Sequence, residues 1–153
     1  MRTTKIAHDA PKSCPEDTVW RVIGTMSGTS CDGLDVVLVE IGDGGTAVTL
    51  LESTAFDYGP EWSERMRGLP ALSDPEALRL EQEWTGWVSD RIAGCLRVWT
   101  AVHGPAHLIG FSGHTWYHEP AGRGTRAIGD GAFLTRILGL PVVADYRSAD
   151  VAA

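Results

Sequence analysis

Between Val22 and Gly42 the chain reads VIGTMSGTSCDGLDVVLVEIG, and the middle of that run gathers hydroxyls, carboxylates and glycines within a few residues. Thr25, Ser27, Thr29 and Ser30 supply hydroxyls, while Gly24, Gly28 and Gly33 let the backbone take positive φ and approach a ligand closely. A phosphate group suits such a run, because its oxygens accept several short N–H and O–H bonds at once. Asp32 and Asp35 could hold hydrated Mg²⁺, the usual companion of nucleotide phosphates. Any tight turn also uses Gly, Ser, Thr and Asp, so a plain connection is the competing reading. The spacing matches neither G-x-x-x-x-G-K-[ST], whose lysine is absent, nor G-x-G-x-x-G.

Other candidates lie further along. His103 and His107 are four residues apart, as are His114 and His118, which raises a Zn²⁺ or Ni²⁺ site. Gly104-Pro105 separates the first pair and aromatic residues separate the second, which argues against one shared face. Asp130, between Gly129 and Gly131, is either a helix cap or part of a cleft. Asp145 and Arg147 at a strand end read equally well as a structural ion pair.

The elements that must position these groups follow from pattern. Val22-Ile23 and Val36 to Ile41 are rich in β-branched residues and read as hairpin strands joined by the polar Gly24 to Asp35 loop. Asp43-Gly44-Gly45 turns the chain again, and Ala47 to Phe56 forms a third strand. A short helix is expected over Glu61 to Arg67. Ser73-Asp74-Pro75-Glu76 then starts a long one, with a capping side chain, an early proline and acids favoured by the macrodipole. Leu80, Trp84, Trp87, Val88, Ile92, Cys95, Leu96, Trp99 and Val102 recur at helical spacing, and the tryptophans read as core anchors. His107 to Phe111 is a buried strand running into a Ser112 to Thr115 loop. Glu119 to Gly124 is another loop, Thr125 to Ile128 a strand, Ala132 to Leu138 a helix and Pro141 to Asp145 a buried strand. The predicted class is α/β: a mixed sheet that starts as a three-stranded antiparallel meander, with helices packed on it and a parallel part after the long helix.

Composition limits the partners. The chain has 153 residues, enough for one domain, and residues 1–18 read as a flexible tail before a domain over 19–153. A net charge of −7 argues against nucleic acid and anionic membrane, whose phosphates need a basic surface. Cys14, Cys31 and Cys95 are odd in number and lack metal spacing, so they read as reduced thiols of a cytoplasmic protein. No signal-peptide core or long apolar run is present.

Met26 to Asp35 resembles the M-S-G-T-S-x-D-G-[hydrophobic]-D segment of the anhydro-N-acetylmuramic acid kinases. Ile128 to Ala132 resembles their I-G-D-G-A, and Pro141 to Ala153 their P-V-V-x-D-F-R-x-x-D-x-A-A. The resemblance implies a ribonuclease H-like, actin-like ATPase domain that closes with a second domain around ATP and Mg²⁺. It implies ATP-dependent hydrolytic opening of 1,6-anhydro-N-acetylmuramic acid with phosphorylation of O6, in peptidoglycan recycling, with an amino sugar and a nucleotide as small-molecule partners. It also leaves room for a homodimer of the full-length protein. Carried over by position, Gly28, Thr29, Ser30, Cys31, Asp32, Gly33, Leu34 and Asp35 contact the nucleotide phosphates, with Asp32 on Mg²⁺ through water. Ser112, His114, Thr115 and Asp130 face the sugar, although Ser112 and His114 stand where the family's G-S-H-G-Q-T has His and Gln. The family's G-G-Q-G-A-P-L and D-T-G-P-G-N segments have no counterpart in these residues; the latter carries the Asp resembling a general base. No catalytic residue is therefore assigned, and the isolated chain is expected to be an inactive first domain. The alternative from another class is a non-catalytic ligand-binding or scaffold domain that keeps the fold.

Overall fold

The computed structural model describes residues 18–119 and 124–146. The expected N-terminal tail, Arg147 and the last residues lie outside the described residues, as does most of the loop expected after Glu119.

β1 (Trp20–Ser27), β2 (Gly33–Gly42) and β3 (Ala47–Asp57) form the antiparallel meander. Along β2, Leu34, Val36 and Leu38 alternate inward, with Asp35 exposed between the first two, as one buried sheet face requires. The ladder continues further into the polar run than its composition suggests, since Met26 pairs with Asp35. The expected Gly24 to Asp35 loop is therefore corrected to Gly28 to Asp32. Ladder hydrogen bonds and a buried face outweigh the turn preference of the residues on either side.

α1 (Gly59–Gly68) leads through a short 3-10 turn to α2 (Asp74–His103). At the start of α2 the Glu76 carboxylate accepts the Ser73 N–H at 2.9 Å, and Gly104 ends the helix at φ 83. Leu80, Trp84, Val88, Ile92, Cys95 and Trp99 make its buried stripe in the core beside Ile23, Leu38 and Ile109. No helix among the described residues is long and apolar enough to cross a membrane.

β4 (Leu108–Glu119) returns parallel to β1, with Ile23 opposite Ile109. β5 (Gly124–Ile128) pairs antiparallel with the far half of β4. After α3 (Gly131–Leu138), β6 (Val142–Ala144) pairs parallel with its near half. The sheet order is β3-β2-β1-β4-β5 with β6 also on β4, so the expected mixed sheet is observed. Two strands thus share one partner and separate near Ser112 and Gly113. The Ser112 to Thr115 loop expected from sequence is corrected: these residues lie inside β4.

A bulge interrupts the β1–β4 register there, because Thr25 faces Phe111 but Ser27 faces His114. Gly113 sits at φ 66, and a Cβ on it would meet the Ile128 carbonyl oxygen at 2.7 Å. The extra residue breaks the alternation, so Phe111, His114 and Thr115 are all buried.

Candidate functional site

The Gly28 to Asp32 connection is short and well tied. The Cys31 N–H donates to the Gly28 carbonyl at 3.0 Å and the Ser63 hydroxyl to the Cys31 carbonyl at 2.7 Å. The Tyr58 N–H donates to the Asp32 carbonyl at 3.0 Å. Cys31 takes φ 53, unusual for a residue with a side chain. These bonds leave Thr29, Ser30 and Asp32 exposed on a held backbone. The Ser30 hydroxyl donates to Asp32 Oδ1 at 2.7 Å and is the main cause holding that carboxyl below its ordinary range. An ionised, exposed carboxylate held by the Ser30 hydroxyl, with the Thr29 hydroxyl exposed beside it, suits a hydrated divalent cation and phosphate oxygens, so the donor set fits Mg²⁺-nucleotide.

Cys31 and Leu34 are buried at 5% and 1% exposure, so only their backbones face a ligand at the loop. Gly33 lies against β3: a Cβ there would meet the Phe56 carbonyl oxygen at 2.5 Å. Asp35 is exposed on β2 opposite Met26, one pair into the ladder from the loop.

A second surface lies where β5 and β6 part along β4. A cleft of about 360 Å³ is lined there by Ser112, Gly113, Arg126, Gly129 and Asp145. It shares Gly129, Ala144 and Asp145 with an open hollow of about 740 Å³ that reaches Asp130, Gly131 and Thr135. Ser112 and Asp130 therefore border one concave region. His114 and Thr115 do not: at 0% and 3% exposure their side chains point into the interior. Asp130 Oδ1 accepts the Phe133 N–H at 2.9 Å, the helix-cap reading, and the residue remains exposed at the cleft. Asp145 borders both hollows at φ 57.

Helix α2 brackets the two surfaces. Glu81 Oε1 accepts the Gly129 N–H at 2.7 Å, and Thr85 Oγ1 accepts the Asp130 N–H at 3.2 Å. Between them Trp84 Nε1 donates to the Tyr58 hydroxyl at 2.8 Å, on the side of the loop. Ser27 Oγ lies 2.6 Å from that hydroxyl and 2.9 Å from His114 Nδ1. Spacings of three and four residues put Glu81, Trp84 and Thr85 on one helix face, so a single rigid element sets the loop against the cleft. Sequence reasoning missed Tyr58, Glu81 and Thr85. A lone Tyr before Gly-Pro and two polar residues beside the apolar stripe were the only signals.

Among the described side chains no histidines converge. His103 Nε2 lies 2.8 Å from Glu52 Oε1, His107 Nδ1 accepts the Arg21 N–H at 2.8 Å, and His114 sits in the core. Cys31 and Cys95 are free thiols.

A family model described as anhydro-N-acetylmuramic acid kinase matches residues 20–153. Similar proteins carrying that name include one from Paramagnetospirillum magneticum, 40% identical over 131 residues, with 86% of this chain and 36% of the relative covered. One from Pseudomonas paraeruginosa is 38% identical over 136 residues, covering 87% and 36%. One from Acidiphilium cryptum is 41% identical over 137 residues, covering 86% and 36%. The chain thus spans about a third of the length of these relatives.

Proposed function

The chain belongs to the anhydro-N-acetylmuramic acid kinase family, and we propose that it carries the phosphate-binding loop and one wall of the sugar cleft of such a kinase. The reaction is the ATP-dependent opening of 1,6-anhydro-N-acetylmuramic acid: water attacks the anomeric carbon, the anhydro C–O bond breaks, and O6 takes the γ-phosphoryl group. The product is N-acetylmuramic acid 6-phosphate, in cytoplasmic peptidoglycan recycling. The observation that carries the reading is the held Gly28 to Asp32 loop, which exposes Thr29, Ser30 and an ionised Asp32 together.

Mg²⁺-ATP supplies the phosphoryl group and neutralises charge on its oxygens. The chain's own residues position it. The Thr29 hydroxyl and the loop N–H groups other than that of Cys31 would donate to phosphate oxygens, while the Ser30 hydroxyl orients the Asp32 carboxylate that would hold the cation through water. Such donors act because they are already in place when charge develops. Ser112 and Asp130, bordering the cleft across α2 from the loop, hydrogen-bond the sugar. By the same reading these 153 residues alone do not turn the sugar over, since they match only 36% of the relatives' length and no general base is assigned among them.

Calorimetric titration of the chain with Mg²⁺-ATP tests the loop. Binding that weakens about tenfold in Asp32→Asn and in Thr29→Ala is expected, as loss of one or two charge-assisted bonds would give. No binding at millimolar nucleotide, or binding indifferent to both changes, refutes the assignment. A coupled ADP-release assay with the anhydro-sugar is expected to show no turnover, and an ordinary enzymatic rate would refute that part.

A further inference from the structure

A buried line of polar groups runs from α2 to the loop, and its direction follows from counting protons. Trp84 Nε1 can only donate, and does so to the Tyr58 hydroxyl at 2.8 Å. That hydroxyl lies 2.6 Å from Ser27 Oγ, and Ser27 Oγ lies 2.9 Å from His114 Nδ1. His114 Nε2 is 3.8 Å from Cys31 Sγ, whose S–H donates to the Thr29 carbonyl at 3.6 Å. One end of the line can only donate and the other can only accept. With every proton used, Trp84 donates to Tyr58, Tyr58 to Ser27, Ser27 to His114 Nδ1, and His114 Nε2–H to the Cys31 sulfur. Reversing the middle links leaves the Tyr58 proton with no acceptor among the described residues. Tyr58, Trp84, Ser27, His114 and Cys31 are all at most 5% exposed, so water does not mend a missing bond.

We propose that His114, as the neutral Nε2–H tautomer, is the positioning residue of the Gly28 to Asp32 loop, coupling the α2 anchor to Cys31 and so to the exposed Thr29 and Ser30. The role in nucleotide binding rests on the phosphate reading above; the tautomer and the hold on Cys31 do not. Burial pulls the imidazole down to about 4, which keeps it neutral, and pushes the Cys31 thiol and Tyr58 phenol up, which keeps their protons in place. The ring also has a geometric reason to be there, because the Gly113 bulge turns it inward against Ser27. Cys31 at φ 53 needs such a hold, since that backbone conformation is unfavourable for a residue with a Cβ. Any replacement must offer one acceptor toward Ser27 and one donor toward Cys31. Gln carries both in one amide, whereas Leu has the bulk and neither.

The test uses the whole chain labelled with ¹⁵N. A long-range ¹H–¹⁵N correlation of the histidine rings at pH 7 is expected to show His114 protonated at Nε2 only; an Nδ1–H tautomer or a charged ring overturns the proposal. Amide exchange then reads the loop. In His114→Leu the Cys31 amide should exchange about tenfold faster relative to β2 amides, with His114→Gln close to the unaltered chain. Equal effects of the two substitutions overturn the positioning role. If the Leu variant does not fold, the ring spectrum and the Gln variant still decide. Mg²⁺-ATP titration separates the two layers. No binding by the unaltered chain defeats the phosphate reading and leaves the ring and exchange results to judge the positioning. Where the unaltered chain binds, His114→Leu should weaken affinity about tenfold, since of the two ring hydrogen bonds it removes only the one to Cys31 acts on the loop directly. Unchanged affinity alongside a loosened Cys31 amide overturns the coupling.

Discussion

Mild acid should destabilise this fold through one residue. His114 titrates in the folded chain at about 4 against an ordinary value of 6.5, because burial disfavours its charged form. The unfolded chain therefore binds a proton that the folded chain refuses throughout that interval. Unfolding free energy then rises with pH there and falls as the solution is acidified. The contribution is fully present above about 6.5, and at about 1.4 kcal/mol per pH unit roughly 2 kcal/mol is gone by pH 5 and about 3 kcal/mol by pH 4. The groups that face the ring, Ser27, Cys31, Tyr58 and Trp84, carry no charge in this range, since burial raises both the thiol and the phenol. Asp32 and Glu76, both lowered by serine hydroxyls, lose their contributions only below their ordinary values of 3.8 and 4.5, more acid than pH 5. Urea unfolding followed by tryptophan fluorescence at pH 7, 6 and 5 provides the measurement. With a denaturant slope near 2 kcal/mol per molar, the midpoint should fall by about 1 M between pH 7 and pH 5. His114→Gln should remove most of that fall. A midpoint that does not move, or that moves equally in the Gln variant, refutes the assignment of the pH dependence to this ring.

Three substitutions probe the packing around the two surfaces. Gly129→Ala, at φ 132, would put a methyl group 2.6 Å from the Phe111 ring, and should cost about 2 kcal/mol in a urea titration. Trp84→Phe removes the N–H donated to Tyr58 from a fully buried position. It should cost about 2 kcal/mol and leave the His114 tautomer intact, because the Tyr58-to-Ser27 link keeps its proton. Thr85→Val leaves the Asp130 N–H without its acceptor and should cost about 1 kcal/mol, read from the thermal midpoint. It should disturb amide exchange at the start of α3 and not at the phosphate loop.

The regular elements were legible because each has a local signature. The long helix shows its apolar spacing from Leu80 to Trp99, its Ser-Asp-Pro-Glu start and its glycine end, and α2 occupies nearly the expected residues. The three-stranded start and the later parallel pairing also follow from strand patterns and connection lengths. Where polar residues carry strands the reading failed. Thr25 to Ser27 and Ser112 to Thr115 have the composition of turns and lie within strands, because Thr25 and Met26 pair with β2, His114 and Thr115 pair with β5, and the Ser112 N–H in the bulge finds the Thr25 hydroxyl. The site was legible at the exposed loop, whose residue types are themselves the chemistry. Its support was not, since Ser27 and His114 are 87 residues apart and only the bulge at Gly113 brings them together.

The position of β1 also orders the making of the molecule. Its partner on one side, β2, follows after a five-residue turn, while its partner on the other, β4, arrives only after β3 and the whole of α2. Contacts separated by so much chain form late, because loop closure must precede them. On a ribosome the meander can pair as soon as it emerges, leaving the other edge of β1 bare for as long as α2 is being synthesised. That edge is a strand template open to wrong partners until β4 covers it. The same event that closes the edge brings His114 to Ser27, so the covering of the strand and the completion of the loop's support coincide.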